Sequence, residues 1–286
     1  MEKIIKGTLI PIGGNEDKGE NEYFGIDFIQ EGILAHVVRE SGGNDSKIVI
    51  IPTASSIPKE VGEMYLEAFG KLGCTDINIL DIQSRDQAEA YEAVEMVRKA
   101  RCIMFSGGDQ SKIVNFIRST TMHDLLLEKL YNETDFVLAG TSAGAMCMSE
   151  EMIAGGSSTE ALIKGNVLMK TGMGFVPELI IDSHFVKRGR FGRLAEAVAI
   201  FPGLMGLGLS EDTGVIIKNG NEFRVIGSGM VILFDPSALS HNNHKILKNG
   251  VALSLSNLTT HILANGDRFK IDERKIGILP LHESHI

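Results

Sequence analysis

The sequence predicts an α/β fold, a three-layer arrangement of a mostly parallel sheet flanked by helices, followed by a β-rich C-terminal part. Two patterns carry that prediction. Through the first two-thirds of the 286 residues, short β-branched runs alternate with helically spaced apolar residues, and parallel strands need such crossovers. After about residue 205 the rhythm shifts to short strands separated by Asn-Gly or Gly-Ser, as in hairpins and meanders. Composition adds a third constraint. Trp is absent and aromatics reach only 6%, so the core must be aliphatic.

Taken in order, residues 8–12 read as a strand ending at Gly13-Gly14, and Phe24, Phe28, Ile33, Leu34 and Val37 recur at helical spacing. Residues 47–52 form a compact strand, 59–72 a helix, 77–80 a strand and 88–99 a helix. Residues 102–105 are a strand stopping at Ser106-Gly107-Gly108, with helical segments after it. Residues 136–139 are a strand running straight into Gly140-Thr141-Ser142-Ala143-Gly144-Ala145. Beyond 205, strands are expected at 207–210, 214–218, 223–226 and 230–234. The stretch 251–271 alternates again around a turn at Asn265-Gly266-Asp267. No linker, low-complexity run or fixed repeat divides the chain. Residues 1–286 are therefore expected to form one domain, with 207–286 as its β-rich C-terminal part.

Hydrophobic residues at 43% and charged residues at 23% exclude a disordered chain. The 32 glycines against 7 prolines mark turns and close backbone approaches. A net charge of −9 argues against a general nucleic-acid binder. It suits a cationic substrate, though solubility is the commoner reason for it. Cys74, Cys102 and Cys147 are odd in number and lack metal spacing, so they read as free thiols of a reducing compartment. The first residues show no apolar h-region, and no apolar run reaches the ~18 residues of a membrane span. The expected location is cytoplasmic.

Gly140-Thr141-Ser142-Ala143-Gly144 has the strand-turn-helix context of a nucleophile elbow. Such a turn lifts the serine hydroxyl towards substrate, and its glycines let strand and helix approach closely. The N–H of Ala143, at a helix start, is placed to donate to an oxyanion. The same pentapeptide also suits a packing turn or a phosphate loop. Gly107 and Gly108, at another strand end, offer further bare N–H donors, although alone they are a common loop sequence. Gly13-Gly14-Asn15-Glu16-Asp17 is equally placed and equally unspecific.

Ile181-Asp182-Ser183-His184-Phe185 supplies a histidine at a strand end, the base that a serine needs near neutral pH. Arg188, Arg190 and Arg193 follow, with Arg190 and Arg193 on one helical side. Clustered guanidinium groups suit carboxylates, whereas such a run more often forms a solvated face. Glu211 and Glu160 compete as the acid that orients the histidine, and their order in the chain does not decide between them. His241 with His244, and His282 with His285, are spaced three apart but lack carboxylate or thiolate partners, so no metal is expected. Cys147, five residues after Ser142, reads as a small core residue.

The set FSGGDQ, GTSAGAM, DSHFVKRGRFGRL and GLGLSEDTGVII, with the earlier IGGNEDK, resembles the cyanophycinase family of serine peptidases. These are relatives of aspartyl dipeptidase with class I glutamine-amidotransferase-like, flavodoxin-like folds. The matches run from residue 12 to about 217. The resemblance implies Ser142 as nucleophile, His184 as base, and Glu160 or Glu211 as acid. It also implies substrate contacts from Asp109, Gln110, Asp182, Ser183, Arg188, Arg190 and Arg193. One departure is Ser183, where the family usually carries Gln; this bears on specificity more than on chemistry. The implied activity is release of β-Asp-Arg dipeptides from cyanophycin, a poly-aspartate backbone with arginine on each side-chain carboxyl. No metal or organic cofactor is required, and a homodimer is implied. The alternatives are cleavage of Asp-X dipeptides and a non-catalytic binding protein on the same scaffold.

Overall fold

Five apolar runs form the parallel heart of a nine-stranded sheet in the computed structural model, which describes residues 4–20, 26–156 and 160–277. They are β1 (Thr8–Ile12), β2 (Ile48–Ile51), β3 (Ile77–Ile79), β4 (Cys102–Phe105) and β5 (Val137–Thr141), in spatial order β3-β2-β4-β5-β1. Every residue of β1, β2, β4 and β5 is buried. Strands covered on both faces read as unbroken apolar runs.

Alternate side chains of these strands serve two cores. Ile10, Ile12, Ile48, Ile50 and Met104 pack with α1 (Ile33–Glu40) and α2 (Pro58–Lys71) through Val37, Tyr65 and Phe69. The opposite face carries Leu9, Val49, Ile51, Ile103 and Phe105. It packs with α3 (Arg85–Glu89), α4 (Tyr91–Lys99), α5 (Gln110–Ile117) and α6 (Thr121–Asn132) through Ala88, Val97, Ile113 and Leu126.

Two expected helices differ from the sequence reading. The pattern expected from Phe24 becomes helical only at Ile33. Asp27 holds a turn instead, its carboxylate accepting the N–H groups of Ile29 and Gln30 at 2.8 and 3.0 Å, the competition with helix typical of Asp. Phe24 itself lies outside the described residues. The helix expected over 88–99 is two helices, broken at Ala90, which is extended (φ −64°, ψ 134°), with Ser84 capping the first.

The chain continues through α7 (Ala143–Met146), the hairpin β6 (Glu151–Gly156) and β7 (Val167–Thr171), then β8 (Leu179–Asp182) and α8 (Phe191–Ile200). The β6–β7 hairpin escapes sequence reading because a register shift between Ile153 and Gly155 breaks its alternation. The expected C-terminal meander divides between two sheets. β9 (Met205–Leu209) joins β8 in a smaller sheet, whereas β10 (Thr213–Lys218) and β11 (Glu222–Gly227) extend the large sheet antiparallel from β1. β12 (Val231–Asp235) returns beside β9. The switch between sheets occurs at Ser210–Glu211–Asp212, where Asp212 has φ +45°. β13 (His241–Asn242) and β14 (Leu255–Ser256) pair alone, β15 (Thr259–Leu263) completes the order β15-β12-β9-β8, and β16 (Arg268–Lys270) and β17 (Lys275–Gly277) complete the large sheet. The loops after β1, β4, β5, β8 and β9 meet at one place. No helix of the described residues is long and apolar enough to cross a membrane.

Candidate active site

Ser142 follows β5 with φ +52° and ψ −110°, a conformation that only an over-determined turn holds in a residue with a side chain. Its N–H is fixed by the carbonyl of Ile12 at 2.9 Å. Close packing explains the flanking glycines: a Cβ at Gly144 would stand 2.5 Å from the Phe105 carbonyl, and one at Gly140 2.5 Å from that of Gly144.

His184 stands just beyond β8, also at positive φ (+47°). Its N–H donates to the Gly13 carbonyl at 2.8 Å. Its ring lies against Gly14, where a Cβ would fall 2.5 Å from Cε1, so the glycine leaves room for the imidazole. Nε2 lies 2.9 Å from Ser142 Oγ and Nδ1 lies 2.8 Å from Glu211 Oε1. The second oxygen of Glu211 accepts from Lys187 Nζ at 2.8 Å. Burial pushes the Glu211 pKa up, but Lys187 and His184 outweigh it and hold it below the ordinary carboxylate value. Glu211 is therefore an anion that can only accept. The Nδ1 proton faces it, leaving the Nε2 lone pair to accept from the Ser142 hydroxyl. Burial, reinforced by Arg188 and Arg190, lowers the His184 pKa despite the opposing pull of Glu211. The imidazole is neutral at pH 7, the state a base needs.

These groups border a cleft of about 540 Å³ that is also lined by Glu16, Lys18, Tyr65, Gly107, Gly108 and Arg188. The backbone N–H groups of Gly107, Gly108 and Ala143 have no acceptor among the described residues. A Cβ on Gly107 would lie 3.4 Å from Ser142 Cβ, which measures how near that loop runs to the hydroxyl. An anion developing beside Ser142 would find these donors unoccupied.

Other residues expected at the site are occupied elsewhere. Asp182 is fully buried and pairs with Arg193, Nε donating at 2.9 Å, and with Arg190 Nη1 at 3.1 Å. The expected triple-arginine carboxylate reader is thus reduced to Arg188, which is exposed on the cleft and makes no side-chain hydrogen bond or ion pair among the described residues. Ser183 is 1% exposed and points inward, its hydroxyl donating to Met146 Sδ at 3.2 Å. Ser183 thus packs behind the base and is not part of the cleft lining. Asp109 caps α5, accepting from the N–H of Ser111, and Gln110 donates to the Ile153 carbonyl at 2.8 Å. Glu160 is exposed, outside the cleft lining, and its carbonyl accepts from Asn166 Nδ2. Cys74, Cys102 and Cys147 are buried free thiols. His282 and His285 lie outside the described residues.

Sequence reasoning placed the loop after β1 at a strand end but gave none of its residues a role. Glu16, 3% exposed, accepts from Thr141 Oγ1 at 2.6 Å, from the Tyr65 hydroxyl and from Lys18 Nζ at 3.1 Å. Asp212 anchors the loop, its Oδ1 accepting the Asp17 N–H at 3.1 Å. The signals were the Gly13-Gly14 strand end, which is unspecific, and IGGNEDK, whose weight came from resemblance.

The model of peptidase family S51 matches residues 28–226. The chain belongs to peptidase family S51. It is a serine-type peptidase, similar over nearly its whole length to proteins named cyanophycinase. The one from Geminocystis herdmanii is 35% identical over 269 residues, covering 94% of this chain and 95% of the relative. The one from Nostoc is 35% identical over 274 residues, covering 96% and 89%. The S51 chain also shares its fold with a crystallised peptidase from an acI-B1 actinobacterium. That match has TM-score 0.62 and 22% identity, and covers 94% of this chain and 98% of the other.

Proposed function

We propose that this S51 peptidase is an exopeptidase that hydrolyses cyanophycin to β-Asp-Arg dipeptides through a Ser142–His184–Glu211 triad. The observation that carries the reading is the unbroken relay from Ser142 Oγ to Nε2 at 2.9 Å and from Nδ1 to Glu211 at 2.8 Å. The substrate comes from similarity to relatives named cyanophycinase.

Nε2 takes the Ser142 proton as Oγ attacks a backbone carbonyl, and Glu211 stabilises the imidazolium that forms. The oxyanion is received by the N–H groups of Ala143 and the Gly107–Gly108 loop. His184 gives its proton to the leaving amine, leaving an acyl-serine. Water, deprotonated by His184, then attacks the ester, and Ser142 regains its proton as product leaves. Arg188, free on the cleft, meets substrate carboxylates. The enzyme acts in the cytoplasm as a homodimer, readings supported by the free thiols and the family resemblance.

Purified protein incubated with cyanophycin should release β-Asp-Arg, and Asp-Leu should be turned over far more slowly. Undiminished release by Ser142→Ala would overturn the nucleophile. Preferred turnover of Asp-Leu would make the protein a dipeptidase instead. Sedimentation and cell fractionation check assembly and location.

A further inference from the structure

Two cations line the cleft. Arg188 enters through the motif after the base, whereas Lys18 comes from the loop after β1 and has no role in the relay. Its Nζ donates to the Glu16 carbonyl at 3.2 Å and to Glu16 Oε1 at 3.1 Å, and lies 4.9 Å from the centre of the Tyr65 ring. An ammonium has three N–H groups. Glu16 takes two, which leaves one for a ligand.

The mounting is asymmetric. The Glu16 side chain is 1% exposed and that of Lys18 is 19% exposed. The carboxylate is held by Thr141 and Tyr65 and scarcely reaches the surface of the cleft it helps to line, whereas the ammonium is the more accessible of the pair. Two hydrogen bonds and the ring face restrain a side chain that otherwise loses much rotamer freedom on binding. Thr141 immediately precedes Ser142, so the lysine's support is bonded to the residue beside the nucleophile. A cation built in this way beside a peptidase serine suits an anionic group next to the scissile bond.

We infer that Lys18 is a specificity-determining residue that binds a carboxylate of the substrate at its chain end, an assignment that rests on the exopeptidase reading above. A compact ammonium accepts a carboxylate without the fixed fork geometry of arginine. The ligand class is a peptide end bearing a free carboxylate.

The test is calorimetric binding to the full-length Ser142→Ala protein, which does not turn ligand over. β-Asp-Arg carries two carboxylates, one on each residue, and each is amidated separately. With Lys18 intact, one of the two amides should bind roughly tenfold more weakly than the free acid, the size expected for losing a charged hydrogen bond. With Lys18→Met added, acid and amide should bind within about threefold of each other, and Lys18→Arg should restore most of the preference. The comparison is made on one protein at a time, so partial loss of folded material cancels in the ratio. A lysine that only neutralises Glu16 would weaken acid and amide equally. An unchanged preference in Lys18→Met, or no preference with Lys18 present, overturns the inference. A Lys18-dependent preference in a protein that releases nothing from cyanophycin would sustain the subsite while refuting the proposed substrate.

Discussion

Asp182 and His184 stand two residues apart and belong to different worlds. In a regular strand, residues i and i+2 face the same side. The chain turns after β8, where His184 takes φ +47°. Asp182 then points into the protein, fully buried between Arg190 and Arg193, while the His184 ring reaches the cleft between Ser142 and Glu211. Both clusters join carboxylates to cationic or basic partners by short hydrogen bonds. In one, both carboxylate oxygens are taken up by arginine donors within the protein. In the other, Glu211 keeps 18% of its side chain exposed, and the relay ends on a hydroxyl that gives its proton to Nε2 and has its oxygen lone pairs open to the cleft. Charge geometry alone does not mark a reactive site; an unfinished chain of hydrogen bonds at a cleft does.

Breaking the open cluster should destroy activity and leave folding nearly intact. Ser142→Ala should lower kcat/KM on cyanophycin by about 10⁴-fold or more, as for triads acting as a unit. Glu211→Gln should cost roughly 10³- to 10⁴-fold, because an amide no longer stabilises the imidazolium. Steady-state kinetics measures both. Breaking the closed cluster should do the reverse. Asp182→Ala leaves Arg193, 5% exposed, buried without its partner. Removal of one member of a buried pair costs about 3–5 kcal/mol. A lower urea midpoint should report it, with labelling of Ser142 by a fluorophosphonate persisting in the protein that remains folded.

The pH dependence separates the clusters further. His184 must be neutral to accept the Ser142 proton, so activity falls as pH drops through its folded-state pKa. That pKa lies below the ordinary 6.5, burial being the main cause. The acid limb of kcat/KM should therefore fall below pH 6.5. In Glu211→Gln the residual activity should have its limb at still lower pH, because the carboxylate is what opposes burial and the two arginines. Asp182→Ala should keep the wild-type direction. A limb above 6.5 in the native enzyme would contradict a buried, neutral imidazole.

How much of this was legible in the sequence follows from how local each feature is. The central strands β2 and β4 are short unbroken apolar runs, and the 102–105 run coincides with β4. The GTSAG segment joins the end of β5 to the start of α7, and its strained serine is announced by glycines two residues away on either side. The opposite directions of Asp182 and His184 were not legible, since they depend on the packing of β8 and on the positive φ at His184. Read by spacing, the arginines formed a substrate clamp; in the fold, Arg193 and Arg190 close on Asp182. The Glu16 mounting was less legible still. Its partners are Thr141, 125 residues away, and Tyr65, 49 residues away, and no local pattern links them. The division of the C-terminal strands between two sheets likewise turns on Asp212 at φ +45°, where the hairpin spacing predicted a continuous meander.

The smallest effect is expected at the acid that sequence order left in competition with Glu211. Glu160 is exposed and outside the cleft lining, whereas Glu211 meets Nδ1 at 2.8 Å. Two acids cannot both occupy the single Nδ1 proton. If Glu211 orients the imidazole, Glu160→Gln should change kcat by less than about twofold and leave the acid limb unmoved, as for surface changes away from the reacting groups. An electrostatic role at a distance would instead appear as a salt-dependent KM, since exposed charges beyond about 8–10 Å are screened. Measuring kcat and KM at low and physiological salt separates these outcomes. A loss in kcat comparable to that of Glu211→Gln would place Glu160 at the imidazole during turnover and require the 160–166 segment to close over the cleft.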